Sequence, residues 1–503
     1  MAASGSRRFC RDFEANKSVQ NGEEVRNMRD ACVQTDAKIQ GQEPRLSNAN
    51  LFILLSLWME LFPKEEQRQN DSVGDCGLVV VRDRRVLGLH CSSAQLHAGQ
   101  VAVVKHGPRL KGCDLYFSRK PCSTCLKMLI NAGVNRISYW PGDAEISLLS
   151  GRLDNTDSSH QEAILDATAA ERLKSCSRPH ICVLLQPLDS TMLQYVYETS
   201  QNCEFFRTIA ADNPALDVAD VFRREWWNHW GDLSEKFFVN DEDQHKSVLQ
   251  KMGLENFCVE PNFSNLRQHM KDLIRILASV AACVPVLQGK YGFFMSDPLA
   301  TGSPALPQDV VRHCITQARL LACRTEDSKV GVGAVIWAEG KTSQCDGTGR
   351  LYLVACGFNA YPVGSEYAEY PLMDNKEEEK QNRKCKYVLH AEQNALTFRS
   401  TEIKEEENTM MFVTKCPCDE CAPLIGCSGI KQVYTSDLDS GKIKRDISYL
   451  KFNQLHGVQK FFWQQKSPNT CTYDQTAPPT ANGSLKQRRD EETKFQCNKR
   501  LRS

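Results

Sequence analysis

The apolar positions of this chain fall into two series of short blocks, and the second series repeats the order of the first. Residues 51–62 are an apolar run with a single charge, Glu60, and are ended by Pro63. A segment apolar on every side predicts a buried helix. Cys76-Gly77-Leu78-Val79-Val80-Val81 is a continuous apolar run of strand length, with 86–90 as its hairpin partner across the polar Asp83-Arg84-Arg85 turn. A helix opens at His97-Ala98-Gly99. The strand Leu115-Tyr116-Phe117 then leads into a helix start at Pro121-Cys122-Ser123-Thr124-Cys125, and a strand over 133–139 closes the unit. Toward the other end a helix over 309–324 carries Val310, Cys314, Ala318 and Leu321 on one face. Strands over 332–337 and 351–357 follow, then His390-Ala391-Glu392, a strand over 410–413, the Pro417-Cys418 pair and a strand after Gly429.

Spacing supports a repeat. Cys125 to Gly133 and Cys421 to Gly429 are both eight positions, and the histidine-to-cysteine separations are 25 and 28. Val73-Gly74 and Val330-Gly331 each precede a first strand. Two copies of one α/β unit, about 296 residues apart, account for this pattern. Counting from Gly88 and Gly357 sets His90 opposite Asn359, and Gly99 stands where the second copy has Glu392. From about 190 to 300 the pattern is helical, with Leu266, Met270, Leu273, Ile274, Leu277 and Val280 on one stripe. The expected layout is a disordered leader (1–48), a first α/β domain (49–190), a helical linker region (191–300), a second α/β domain (301–464) and a disordered basic tail (465–503).

Lys+Arg and Asp+Glu are both 62, so the formal charge is zero, which disfavours nucleic acid as the main partner. The 23 cysteines come without a secretory leader, and this points to reduced thiols and metal ligands. The longest apolar run is too short to span a bilayer, so no membrane partner is expected. Lys486, Arg488 and Arg489, then Lys499, Arg500 and Arg502, resemble a bipartite nuclear-import signal that an import receptor would read. That reading stands level with a solvated tail, and together they place the protein in cytoplasm and nucleus. Residues 51–62 could serve as a leucine-rich export signal, but a core helix is preferred. Trp226, Trp227 and Trp230 lie beside Arg223, Arg224 and His229, and burial at a domain interface is preferred over base stacking.

The chemistry concentrates in the second copy. His390, Cys418 and Cys421 form a Cys₂His zinc set that leaves the fourth tetrahedral corner for water, the pattern of a catalytic rather than a structural ion. Cysteines at i and i+3 share one helix face, and Pro417 suits the start of that helix. Glu392, two residues after the histidine, is a carboxylate placed to move a proton rather than to bind the metal. His97, Cys122 and Cys125 repeat the ligand set in the first copy, whereas Gly99 offers no carboxylate.

H-x-E followed by P-C-x-x-C resembles the signature of the zinc-dependent cytidine and deoxycytidylate deaminases. Lys386-Tyr387-Val388-Leu389-His390-Ala391-Glu392-Gln393-Asn394-Ala395 is similar to that family's zinc-helix segment, and Gly357-Phe358-Asn359-Ala360-Tyr361-Pro362-Val363-Gly364 to its substrate loop, with Ala360 in place of a glycine. The resemblance covers about 300–440 well and 70–140 weakly. It implies two cytidine-deaminase-like three-layer α/β/α domains in tandem, with Asn359 contacting the nucleotide and Glu392 passing a proton from water to cytosine N3 and then to the departing ammonia. The implied reaction is hydrolytic deamination of free cytidine, deoxycytidine or their 5′-phosphates, of deoxycytidylate type. The first copy is expected to hold zinc without deaminating and to pack against the second, or to serve as a regulatory nucleotide site; a homo-oligomer is left open. The insertion containing Glu377, Glu378 and Glu379 reads as a solvated loop, with a lid as its alternative. Two rivals remain: a deaminase acting on single-stranded DNA or RNA, disfavoured by the charge balance, and a non-catalytic deaminase-fold scaffold, disfavoured by Glu392.

Overall fold

Helix α1 (Asn48–Glu60) starts at Ser47, whose side chain accepts a hydrogen bond from the Asn50 amide, and it is buried from Ala49 to Glu60. The computed structural model describes residues 45–63, 75–145, 156–286, 290–295, 304–325, 331–341, 347–362, 387–436, 438–444 and 447–466, with the side chains of 156–160 left out. Glu377, Glu378 and Glu379 of the acidic insertion lie outside the described residues, as do the expected leader and tail except for 45–48, where Leu46 is buried ahead of α1, and 465–466, where Gln465 ends the last strand. The single charge in the apolar run is compensated: Glu60 accepts from Arg119 at 2.7 Å and from the Ser118 hydroxyl at 2.5 Å. A buried carboxylate requires such partners.

In the first unit α1 lies on β1 (Gly77–Arg82), which pairs antiparallel with β2 (Arg85–Cys91) and β3 (Asp114–Phe117). Asp83 and Arg84, with φ of 51° and 62°, make the tight turn between β1 and β2. Strands β4 (Arg136–Tyr139) and β5 (His180–Cys182) add in parallel, giving the order β2-β1-β3-β4-β5. Helices α2 (Ala98–His106), α3 (Ser123–Asn131) and α4 (Thr156–Cys176) complete the unit.

The middle of the chain is helical as expected: α5 (Ser190–Gln201), α6 (Glu204–Asp212), α7 (Val218–Phe237), α8 (Glu242–Lys251) and α9 (Asn262–Ala282). Trp226 stacks on Trp230 with ring centroids 5.8 Å apart and donates to Ser279 on α9, while Trp227 is 58% exposed. Trp226 and Trp230 are thus half-buried, and the contacts they make with α9 lie inside the helical region rather than between domains.

The second unit repeats the order of the first. Helix α10 (Gln308–Ala322) precedes β7 (Gly333–Glu339) and β8 (Leu351–Phe358), and these are followed by α11 (Ala391–Thr397), β9 (Asn408–Val413), α12 (Cys421–Cys427) and β10 (Gln432–Thr435). A small hairpin, β11 (Ile443–Lys444) and β12 (Ile447–Ser448), and the short α13 (Leu450–Gln454) then lead to β13 (Gln459–Gln465). β6 (Tyr291–Met295) adds an antiparallel edge, so the order is β6-β13-β10-β9-β7-β8. Neither β6 nor β13 was expected from the sequence. Alternation along β7 shows the three layers. Val335 and Trp337 share a core with α10, whereas Ala334, Ile336 and Ala338 share another with α11 and α12. Among the described residues no helix is long and apolar enough to cross a membrane.

Strand pairing corrects the repeat register in one place. Gly77 and Gly333 are the matching positions, because a Cβ would stand 2.0 Å from Ser56 O in one and 1.9 Å from Ala318 O in the other. Each lets its strand approach the first helix of its unit. Gly77 pairs with Cys91 and Gly333 with Phe358, so Ser92, not His90, corresponds to Asn359. The Ser92 amide donates to Cys76 O as the Asn359 amide donates to Val332 O. Counting from Gly88 misleads because it does a different job from Gly357: a Cβ on Gly88 would meet His90 and His106, and one on Gly357 would meet α11.

The two units pack through their first helices. The Trp58 ring stacks on His313 of α10 at 4.8 Å and 11°, and its N–H donates to His313 O at 3.0 Å. Phe62 packs on His313 and Trp337. Burial holds the His313 imidazole down at about 3, and its Nε2 has no hydrogen-bond partner among the described residues. A histidine with a depressed folded pKa contributes stability that is present above its ordinary value near 6.5 and is lost as pH falls toward 3. Urea midpoints at pH 7.5 and 5.5 should therefore differ by less in His313→Phe than in the unaltered protein.

Candidate metal centres and active site

Both ligand sets are assembled at helix starts. His390 is the N-cap of α11, with its backbone N–H held by the Gln393 side chain at 2.9 Å; His97 caps α2 in the same way through Gln100 at 3.0 Å. An antiparallel bridge between Ala360 and Leu389 ties the end of the β8 loop to the residue before His390. Cys418 lies outside α12 rather than on its face as expected. Its carbonyl accepts from Cys421 N at 3.0 Å and Ala422 N at 2.9 Å, so a turn ahead of the helix brings the two thiols together. Pro417 stands before that turn, not at the first helical position. In the first copy Cys122 is the N-cap of α3 and Cys125 lies in its first turn.

In the second copy His390 Nδ1 is 3.2 Å from Cys418 Sγ and 3.3 Å from Cys421 Sγ. Zinc bonds of about 2.0–2.3 Å at tetrahedral angles put donors roughly 3.3–3.8 Å apart, so these three residues fit the ion. Among the described residues these three alone form the cluster here, and Glu392 is not part of it. The Cys418 thiol is pulled down to about 4 by hydrogen bonds from Cys421 and His390, and Cys421 is pushed up by the same bond to Cys418. Burial acts against protonation of His390, but its bond to Cys418 and the charge of Glu392 outweigh this and raise it to about 9. Glu392 is buried in the first turn of α11, in hydrogen-bond contact with Cys421, and burial pushes its carboxyl up to about 7. A carboxyl so shifted exchanges its proton near neutral pH, which suits a general acid–base group.

Asn359 is buried at the end of β8. Its side-chain oxygen accepts from Val332 N at 2.8 Å, bracing the start of β7, and its backbone oxygen accepts from Thr325. Beside the C-terminal ends of β9 and β10 a cavity of about 450 Å³ is lined by Arg207, Arg319, Lys415 and Lys444, among others.

In the first copy His97 Nδ1 lies 3.3 Å from Cys122 Sγ and 3.6 Å from Cys125 Sγ, and Glu145, which the sequence reading missed, completes the cluster. All four residues are buried, whereas His390 is only half-buried. A Cβ at Gly99 would stand 3.1 Å from both Cβ and Sγ of Cys125. Gly99→Glu should therefore disturb a donor rather than create a second active centre. The expected result is zinc content falling toward one ion per chain, read by plasma mass spectrometry, with uracil formation unchanged.

Two mixed α/β layers in one chain, each carrying histidine and paired cysteines at corresponding helix starts, define a tandem deaminase-fold protein. The chain belongs to the cytidine and deoxycytidylate deaminase family, whose zinc-binding region matches residues 54–140 and 308–437. It is 74% identical over 464 residues to the "Cytidine and dCMP deaminase domain-containing protein 1" of Danio rerio, covering 92% of this chain and 98% of that one. The deoxycytidylate deaminase of Homo sapiens is 34% identical over 139 residues, 27% of this chain and 70% of that protein. A crystal structure of dCMP deaminase from the cyanophage S-TIM5, in complex with dCMP and dUMP, aligns with a TM-score of 0.22 at 23% identity, covering 31% of this chain and 98% of that chain.

Proposed function

We propose that the second copy hydrolyses the exocyclic amino group of cytosine in a free deoxycytidine or cytidine 5′-phosphate, yielding the uracil compound and ammonia. The observation that carries this reading is the buried Glu392 carboxyl beside a three-donor cluster. His390, Cys418 and Cys421 would hold zinc, which when bound makes water acidic enough to supply hydroxide near neutral pH. Glu392 then carries two protons in turn: it takes one from water and gives it to N3, then takes the other from the hydroxyl added at C4 and gives it to the amine leaving that carbon. Water adds its oxygen to C4 and ammonia departs, so the reaction needs no further reactant.

Asn359 is the proposed nucleotide contact at the end of β8. The phosphorylated substrate is preferred over the nucleoside on resemblance, since basic side chains of the cavity beside β9 and β10 already pair with its own carboxylates, Arg319 with Glu204 and both Lys415 and Lys444 with Asp439. The relatives named as deoxycytidylate deaminases support the same class. The test is to incubate the purified chain with cytidine, with deoxycytidine mono-, di- and triphosphate, and with a cytosine-rich oligonucleotide, and to measure uracil products. Turnover of free nucleotides is expected. Turnover of the oligonucleotide alone overturns the proposal, as does inactivity on every substrate with zinc bound.

A further inference from the structure

We propose that His97, Cys122, Cys125 and Glu145 form a closed four-donor zinc site in the first copy, with the Glu145 carboxylate in the corner that the second copy leaves for water. Glu145 Oε2 is 3.1 Å from His97 Nδ1 and 3.2 Å from the Cys122 backbone nitrogen, which donates to it. The four ligand atoms all lie within 4.8 Å of one another. The other carboxylate oxygen, Oε1, is buried without a hydrogen-bond partner, a costly state that a cation at the centre of the cluster relieves. Cys₂His plus a carboxylate is a complete tetrahedral donor set, and closed sets of this kind are structural.

The chain after β4 is built to deliver this side chain. Lys120 N donates to Asp143 O at 3.0 Å and Glu145 N to Lys120 O at 2.8 Å, so the segment is pinned in parallel to the loop that carries Cys122. Arg119 and Asp143 close it with an ion pair at 2.6 Å. The second copy keeps that pair, as Lys415 and Asp439 at 3.5 Å, 296 positions on. Two residues further the copies part: the counterpart of Glu145 is Gly441, which has no donor to offer. The carboxylate and the glycine have thus traded places between the units. Glu392 with Gly441 makes an open site with a proton carrier, whereas Gly99 with Glu145 makes a sealed site with none. This metal geometry is independent of deamination at the second copy.

The test uses the full chain with Cys418→Ala and Cys421→Ala, which empty the second site, loaded with Co²⁺ as a spectroscopic substitute for zinc. In this parent, added azide should leave the visible d–d absorption unchanged, because no corner is free to accept it. Glu145→Ala in the same background should acquire an azide-dependent spectrum. It should also lose metal to a chelator more than roughly tenfold faster, since even second-layer changes cost about 10–100-fold in affinity. An azide response in the parent itself overturns the proposal, with no need for the Glu145 variant to fold. A Glu145→Ala protein that keeps its metal and stays blind to azide overturns it as well.

Discussion

Glu392→Gln is expected to lower the rate of uracil formation by about 10²–10⁴-fold while zinc content stays at the unaltered level. Glutamine keeps the volume and planarity of the carboxylate, so the packing of α11 survives. It cannot accept a proton from water or deliver one to N3 and the leaving amine. Glu392 is 4% exposed and touches Cys421 rather than serving as a donor in the cluster, which separates its loss from loss of metal. Steady-state kinetics on the preferred nucleotide, paired with metal analysis of the same sample, reads both quantities. A variant within tenfold of the original rate would remove Glu392 from proton transfer. A variant that loses zinc would make it a positioning residue.

Trp58→Ala should destabilise the protein by about 3–5 kcal/mol, the cost typical of emptying a large aromatic site. The ring is 8% exposed and wedged between units: it stacks on His313 and hydrogen-bonds its carbonyl, with Phe62 filling the space toward Trp337. Alanine leaves a cavity lined by both copies and removes a buried hydrogen bond. Trp58→Phe keeps most of the stacking and should cost less. The midpoint of guanidinium unfolding, followed by circular dichroism, checks the order of the three proteins. Equal midpoints for Trp58→Ala and the unaltered chain would mean that the two units do not depend on this contact.

Much of the fold was legible in sequence. The buried strand at 76–81 and the hairpin turn after it stand out because apolar runs and turn residues act locally. The first helix of each unit and the α9 stripe are legible for the same reason, and the two ligand triads through residue type at a motif spacing. β6 and β13 were not. Among the described residues β6 finds its strand partner only about 170 residues away, Phe293 opposite Trp463, and β13 is fixed between that edge and β10, 27 residues before it, so neither shows in a local pattern. The register slip that put His90 opposite Asn359 has the same origin. Two glycines matched in the count, but strand pairing follows the close approach of Gly77 and Gly333 to their helices, which no local pattern encodes.

By itself the sequence showed which side chains can bind a cation, and that the second copy has a carboxylate two residues after its histidine where the first has glycine, because these depend on residue type and motif spacing. Only the tertiary structure decided that, among the described residues, one cluster has three donors and the other gains a carboxylate as its fourth. Glu145 lies 48 residues beyond His97 and reaches its ring only because the strand end after β4 is hydrogen-bonded alongside the cysteine loop. Donor identity is a property of composition, whereas coordination number depends on which distant segments the sheet sets side by side.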